Sequence, residues 1–268
     1  MPTVHLNNIG LYYEDYGEGV PLVLIAGLAS DSQSWQPILD ELSLHYRVIV
    51  FDNRGVGRTM PQDSKMRIQD ISDDCISLIK YLRLSSVHLL GHSMGGFVAM
   101  DCAIRYPQYI SKVILAGTSA LNCERNNALF LDWSSTMGGK MNSEQWFRNI
   151  FYWIFTKKFF EDKEVLNDAL QFVIEYPYPQ TKIAFKNQVN AIKAFNCIND
   201  LPYITSEILV ISGKEDLLFP YLESKKALQT IPNVHFSFVE QAAHSIHTEQ
   251  PEDFINIIQH FLKEGNVE

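Results

Sequence analysis

The chain has 268 residues, 46% of them hydrophobic and 20% charged, with a formal net charge of −9. That length accommodates one large domain, or one domain with an insertion. The acidic balance, with no Lys/Arg cluster to reverse it locally, argues against a nucleic-acid partner. The four cysteines, Cys75, Cys102, Cys123 and Cys197, form no C-x-x-C pair and read as reduced structural residues. No apolar run approaches the ~20 residues that a membrane span needs. Met1 to His5 lacks the basic and apolar segments of a signal peptide. A cytoplasmic protein with no integral membrane segment is the expectation.

In chain order, Val4 to Leu6 and Leu11 to Tyr16 read as strands joined by a turn at Asn7 to Gly10. Pro21 to Ile25 is a compact apolar strand ending in the small-residue loop Ala26-Gly27-Leu28-Ala29-Ser30. Trp35 to His45 has helical spacing, with Ser34 as its expected cap. Tyr46 to Phe51 is a strand, followed by Asp52-Asn53-Arg54-Gly55-Val56-Gly57-Arg58. A G-x-G after a strand invites a dinucleotide reading, but Met60 stands where the third glycine would be, and no cofactor is expected. Ile68 to Leu84 is an amphipathic helix. Val87 to Leu90 is a buried strand leading into Gly91-His92-Ser93-Met94-Gly95, and Gly96 to Tyr106 is a helix stopped by Pro107.

A serine between two glycines at a strand-to-helix turn has a mechanical meaning. The turn is tight enough to demand small residues at positions 91 and 95, and it thrusts the serine hydroxyl out beside a helix N-terminus. The stretch resembles the nucleophile elbow of the α/β-hydrolase superfamily. The resemblance implies a mostly parallel eight-stranded sheet flanked by helices, with a helical cap inserted after the sixth strand. It also assigns the Asp52 to Gly57 stretch to the D-x-R-G-x-G loop of that family, with Arg54 structural.

Beyond the elbow, Lys112 to Ala116 is a further strand, and the strand–helix alternation then breaks from about 119 to 207. That interval carries helical patterns at Ser143 to Phe160, Lys163 to Tyr176 and Gln180 to Phe195. We therefore divide the chain into a core at 1–119 and 201–268 and a helical cap at 120–200. Trp133, Trp146, Phe147 and Phe151 of the cap, with Trp35 of the core, are expected to contact substrate. Glu207 to Ile211 and His235 to Val239 are strands, and Pro220 to Thr230 and Pro251 to Lys263 are helices.

A general base must reach Ser93 from a loop at the same sheet edge. His244 follows the last strand. His247 is its rival by position, and His92 is expected to point away from the site. A metal pair at His244 and His247 lacks a third ligand, so no metal is expected. Ala243 to Glu252 is similar to the family's G-H-x-x-x-x-E-x-P-E loop, with Ala243 in place of glycine, and the match selects His244. The acid should follow a strand and precede the base. The turn Gly213-Lys214-Glu215-Asp216 fits the family pattern G-x-x-D at Asp216 rather than Glu215. The oxyanion hole implied by the resemblance comprises the N–H groups of Leu28 and Met94. The family's histidine in the first of these loops, which usually braces it, is Ala26 here, a departure that bears on the loop's rigidity and not on the donor.

Ser93, Asp216 and His244 then imply hydrolysis of a carboxylic ester or lactone, largely apolar and of small to medium size, through an acyl-enzyme. The resemblance is to the esterase- and lactonase-type members, including the 3-oxoadipate enol-lactonases. A C–C bond hydrolase or thioesterase would use the same three residues. A lipase whose Ile150 to Phe155 segment touches lipid, or a ligand receptor with a vestigial triad, are the further alternatives.

Overall fold

The structure is a computed structural model that describes residues 3–139 and 141–263. Eight strands form one sheet: β1 (Thr3–Leu6), β2 (Ile9–Tyr16), β3 (Pro21–Ile25), β4 (Arg47–Phe51), β5 (Val87–His92), β6 (Ile110–Ala116), β7 (Glu207–Gly213) and β8 (Val234–Val239). Their order is β1-β2-β4-β3-β5-β6-β7-β8. β1 and β2 pair antiparallel, β2 joins β4 antiparallel, and every other pairing is parallel. The β1–β2 turn is made by Asn7 and Asn8 at φ 47° and 63°, the left-handed geometry that a two-residue hairpin loop demands and asparagine tolerates.

Parallel strands need crossovers, and their helices cover both faces. Strand β3 shows how the sequence builds this. Val23 and Ile25 join the core shared with α2 (Ile68–Tyr81) and α3 (Met94–Arg105). Leu22 and Leu24 alternate to the opposite core, shared with α1 (Gln36–Ser43) and α11 (Pro251–Lys263). Each such side chain, fully removed from water, contributes about 1.5–3 kcal/mol.

Between β6 and β7 the chain leaves the sheet and forms α4 (Glu124–Thr136), α5 (Ser143–Ile154), α6 (Lys157–Glu161), α7 (Lys163–Ile174) and α8 (Lys182–Ala194). The remaining helices are α9 (Tyr221–Leu228) and α10 (Ile246–Glu249). The continuous helix expected over Ser143 to Phe160 is instead two. Phe155 is extended at φ −118°, ψ 153°, and the break is held by Glu249, whose Oε1 accepts from the Thr156 N–H at 2.8 Å and the Thr156 hydroxyl at 2.7 Å. Periodicity along one segment carries no information about a carboxylate 93 residues away. Ser34 is not the cap expected at the first helix. The chain enters through a 3₁₀ turn at Ser32–Trp35, and Asp31 caps it by accepting from Gln33 N–H.

Candidate active site

Strand β5 delivers Ser93 to the C-terminal edge of the sheet, and α3 starts at the next residue. Ser93 sits at φ 55°, ψ −117°, a sparsely populated conformation that costs roughly 1–3 kcal/mol. Surrounding hydrogen bonds over-determine it. Its N–H donates to Ala116 O at 2.9 Å, and its carbonyl accepts from the Thr118 hydroxyl at 2.9 Å. The flanking glycines are required by close approach. A Cβ on Gly91 would lie 2.2 Å from Gly95 O, and one on Gly95 would lie 1.9 Å from Ile25 O. Gly95 thereby lets α3 dock against the end of β3, where the Ala26 to Ser30 loop begins.

Asp216 lies just past β7 and is 4% exposed. Its Oδ1 accepts from the N–H groups of Leu218 at 2.8 Å and Phe219 at 2.9 Å. Its Oδ2 is 3.0 Å from His244 Nδ1. A carboxylate only accepts, so Nδ1 carries a hydrogen, and in the neutral tautomer this selects, Nε2 bears the lone pair. The Phe219 ring stacks on the imidazole at 5.8 Å. The close packing of the two loops again excludes side chains: a Cβ on Gly213 would sit 1.9 Å from Ala243 O.

His247, the positional rival, does not face this space. It is 4% exposed and packs its ring 4.9 Å from Trp35. Burial, with His244 nearby, depresses its pKa to about 3. His92 departs from expectation in the other direction. Its Nε2 lies 2.8 Å from His244 O, and since a carbonyl only accepts, Nε2 is the protonated nitrogen. The ring is 4.7 Å from that of His244, and burial pushes its pKa well down. The residue before the serine therefore anchors the backbone of the histidine loop. Glu249 anchors the same loop from the far side, its Oε2 accepting from Ala243 N–H at 2.8 Å.

Ser93, His92 and His244 line one cavity of about 190 Å³, together with Gly27 and Leu28. A Cβ on Gly27 would be 3.1 Å from that of Ser93, so this loop lies directly against the serine. Met94 opens α3, and its N–H belongs to the first turn, which has no intrahelical acceptor. The roof comes from α4, α5, α7 and α8. Trp133, Trp146, Phe147 and Phe151, the cap residues named as candidate substrate contacts, line it, with Phe130, Ile150 and Phe185 beside them. The indole N–H of Trp133 donates to Asn149 and that of Trp146 to Trp133 O, so both present carbon to the cavity. Among the described residues lining it there is no Lys, Arg, Asp or Glu. Trp35 is a correction. It is fully buried on the α1–α11 side of the sheet and does not line the cavity, because its aromatic surface is taken up by His247.

Residues 20–164 match the family model described as the alpha/beta hydrolase fold. The chain belongs to the α/β hydrolase family. It is 24% identical over 259 residues to RutD of Agrobacterium fabrum, a protein that carries the name carbamate hydrolase, covering 94% of this chain and 98% of that one. An enol-lactonase from Burkholderia xenovorans superposes with a TM-score of 0.87 at 25% identity, over 98% of this chain and all of the other. A thermophilic esterase from Thermogutta terrifontis gives 0.85 at 25% identity, over 98% and 96%. These likenesses make the chain a hydrolase of the α/β fold.

Sequence reasoning missed His92, Glu249, Phe130 on α4 and the α8 contribution to the roof. Glu249 was within reach, since it stands at the glutamate of the histidine-loop pattern. Nothing local in α8 singles out Phe185.

Proposed function

We propose that this α/β hydrolase is a serine esterase acting on uncharged, largely apolar carboxylic esters or lactones, with α4–α8 as its cap. The observation that carries the reading is the charge-free aromatic cavity into which the strained serine and the Asp216-held imidazole both open. A charged substrate would lose its hydration there without gaining a partner.

In the proposed mechanism Ser93 Oγ attacks the carbonyl carbon while His244 Nε2 takes its proton. Asp216 holds the tautomer and stabilises the imidazolium. The N–H groups of Leu28 and Met94 receive the oxyanion. His244 then returns the proton to the leaving alcohol, and a water activated by the same nitrogen releases the acid. The test is a panel of p-nitrophenyl esters from acetate to octanoate, with a p-nitrophenyl carbamate and a carboxylate-bearing ester beside them. Neutral esters should turn over, the carboxylate-bearing one poorly, and a serine-directed phosphonate should label Ser93. Ser93→Ala should fold normally and lose at least about 10³-fold in kcat. Wild-type turnover in that variant would sink the proposal.

A further inference from the structure

The loop that presents the Leu28 N–H has an unusual support. Ala26 offers no polar side chain to hold it. Ser30 N–H reaches Gly27 O at 3.4 Å, which makes a turn with Leu28 and Ala29 at its centre. Ala29 takes the left-handed φ of 59° that a type II turn requires at that position and that alanine adopts only at a cost. Such a turn needs anchors. One lies in the core: the Asn53 amide donates to Ala26 O at 2.8 Å. The other comes from the α4–α8 layer. Gln188, on α8 and 0% exposed, accepts from the Ala29 N–H through Oε1 at 3.2 Å.

The Gln188 amide cannot serve in either orientation. Its Nε2 donates to Arg54 O at 3.2 Å, and its Oε1 also accepts from Gln180 Nε2 at 2.9 Å. Flipping it would set donor against the Ala29 N–H and acceptor against the Arg54 carbonyl. Leu28 is thus bracketed, by the sheet on one side and by α8 on the other.

We propose that Gln188 is a positioning residue for the oxyanion loop, so that the Leu28 donor is in place only while α8 is seated on the core. The inference rests on the serine mechanism proposed above. It makes the electrostatic part of catalysis depend on a side chain that touches neither the substrate nor the reacting atoms.

Gln188→Met, similar in size but without the amide, tests it. Misplacing an oxyanion donor by about 1 Å costs on the order of 10²-fold. We expect kcat to fall roughly 10- to 100-fold with KM changed less than about threefold. Affinity for an alkyl boronic acid, whose tetrahedral adduct on Ser93 occupies the same hole, should fall by the same factor as kcat. Gln188→Glu keeps an acceptor for the Ala29 N–H and should retain more activity than the methionine variant. It carries the comparison alone if Gln188→Met does not fold, since a carboxylate lacks the donor to Arg54 and should give an intermediate kcat. Asn187→Ala is the control. Its amide ties the same helix to Asp63 O and Ser64 O, both at 3.1 Å, away from the loop. It should leave kcat and boronate affinity near wild type.

Unchanged kcat and boronate affinity in the Gln188 variants would overturn the proposal. So would an equal loss in Asn187→Ala, which would make the effect one of helix docking alone. If the wild-type protein neither hydrolyses the esters nor takes up the boronate, the functional reading falls, and this one with it.

Discussion

Asp216 illustrates how a single side chain sets a chemical state at a distance. Two backbone N–H groups claim Oδ1, so an asparagine here would be forced to keep its oxygen on them. Its NH₂ would then face His244 Nδ1, which would have to give up its hydrogen and become an acceptor. The hydrogen would move to Nε2, the nitrogen that takes the proton from Ser93 in the proposed mechanism. Asp216→Asn should therefore fold and bind esters normally while losing about 10³- to 10⁴-fold in kcat, read from steady-state kinetics alongside melting temperature. A loss of tenfold or less would remove Asp216 from the proposed role. His92 acts at the same scale by a different route, through the backbone of the histidine loop rather than its ring.

Among the elements, the seam between the inserted helices and the histidine loop rests on Glu249. One carboxylate binds the N–H and hydroxyl of Thr156 with one oxygen and the N–H of Ala243 with the other. Beside it, Ser245 N–H donates to Ile154 O at 3.0 Å. Glu249→Ala leaves three buried donors without this acceptor. It should lower stability by about 2–4 kcal/mol in urea titrations and speed amide exchange at Thr156 and Ala243 ahead of the sheet.

The same seam shows what the sequence could reveal. Strand β3 and helix α11 were legible to the residue, because an apolar run bounded by turn signals, and a proline at a first helical turn, are local patterns. The positions of Ser93, Asp216 and His244 at one sheet edge followed from the strand order that the family resemblance implied. The split of the 143–160 helix, the burial of Trp35 against His247, and Gln188 were not legible, since each depends on a partner far along the chain. Trp35 misled because aromatic content says nothing about which side of a sheet a helix lies on.

At the scale of the whole molecule, three histidines are buried without charge. Burial holds His88 down at about 4 and His247 at about 3, with His92 well below its usual range. Unfolded, each would take up a proton near pH 6.5. Below that pH the unfolded chain binds more protons than the folded one, so stability is full above about 6.5 and falls as pH drops toward 4. Each histidine contributes up to about 1.4 kcal/mol per pH unit in that window. Buried Asp31, Asp74 and Glu249, whose pKa values burial raises, oppose this by gaining protons first in the fold. The expected net result is a loss of stability between pH 7 and 5, measured by urea unfolding at each pH. His247→Phe should make that slope shallower; an unchanged slope would show that this imidazole does not drive it.

The aromatic chamber also bears on how a turnover would finish. An ester that enters uncharged would be cut into an alcohol and a carboxylic acid, and near neutral pH the acid sheds its proton. Beyond the proposed oxyanion donors and His244, the new anion would then face indole and phenyl carbons, with no Lys or Arg among the described residues lining the cavity. Its own ionisation would drive it toward solvent, so the site that welcomes the reactant would evict what it makes, and accumulated acid would scarcely slow the next cycle.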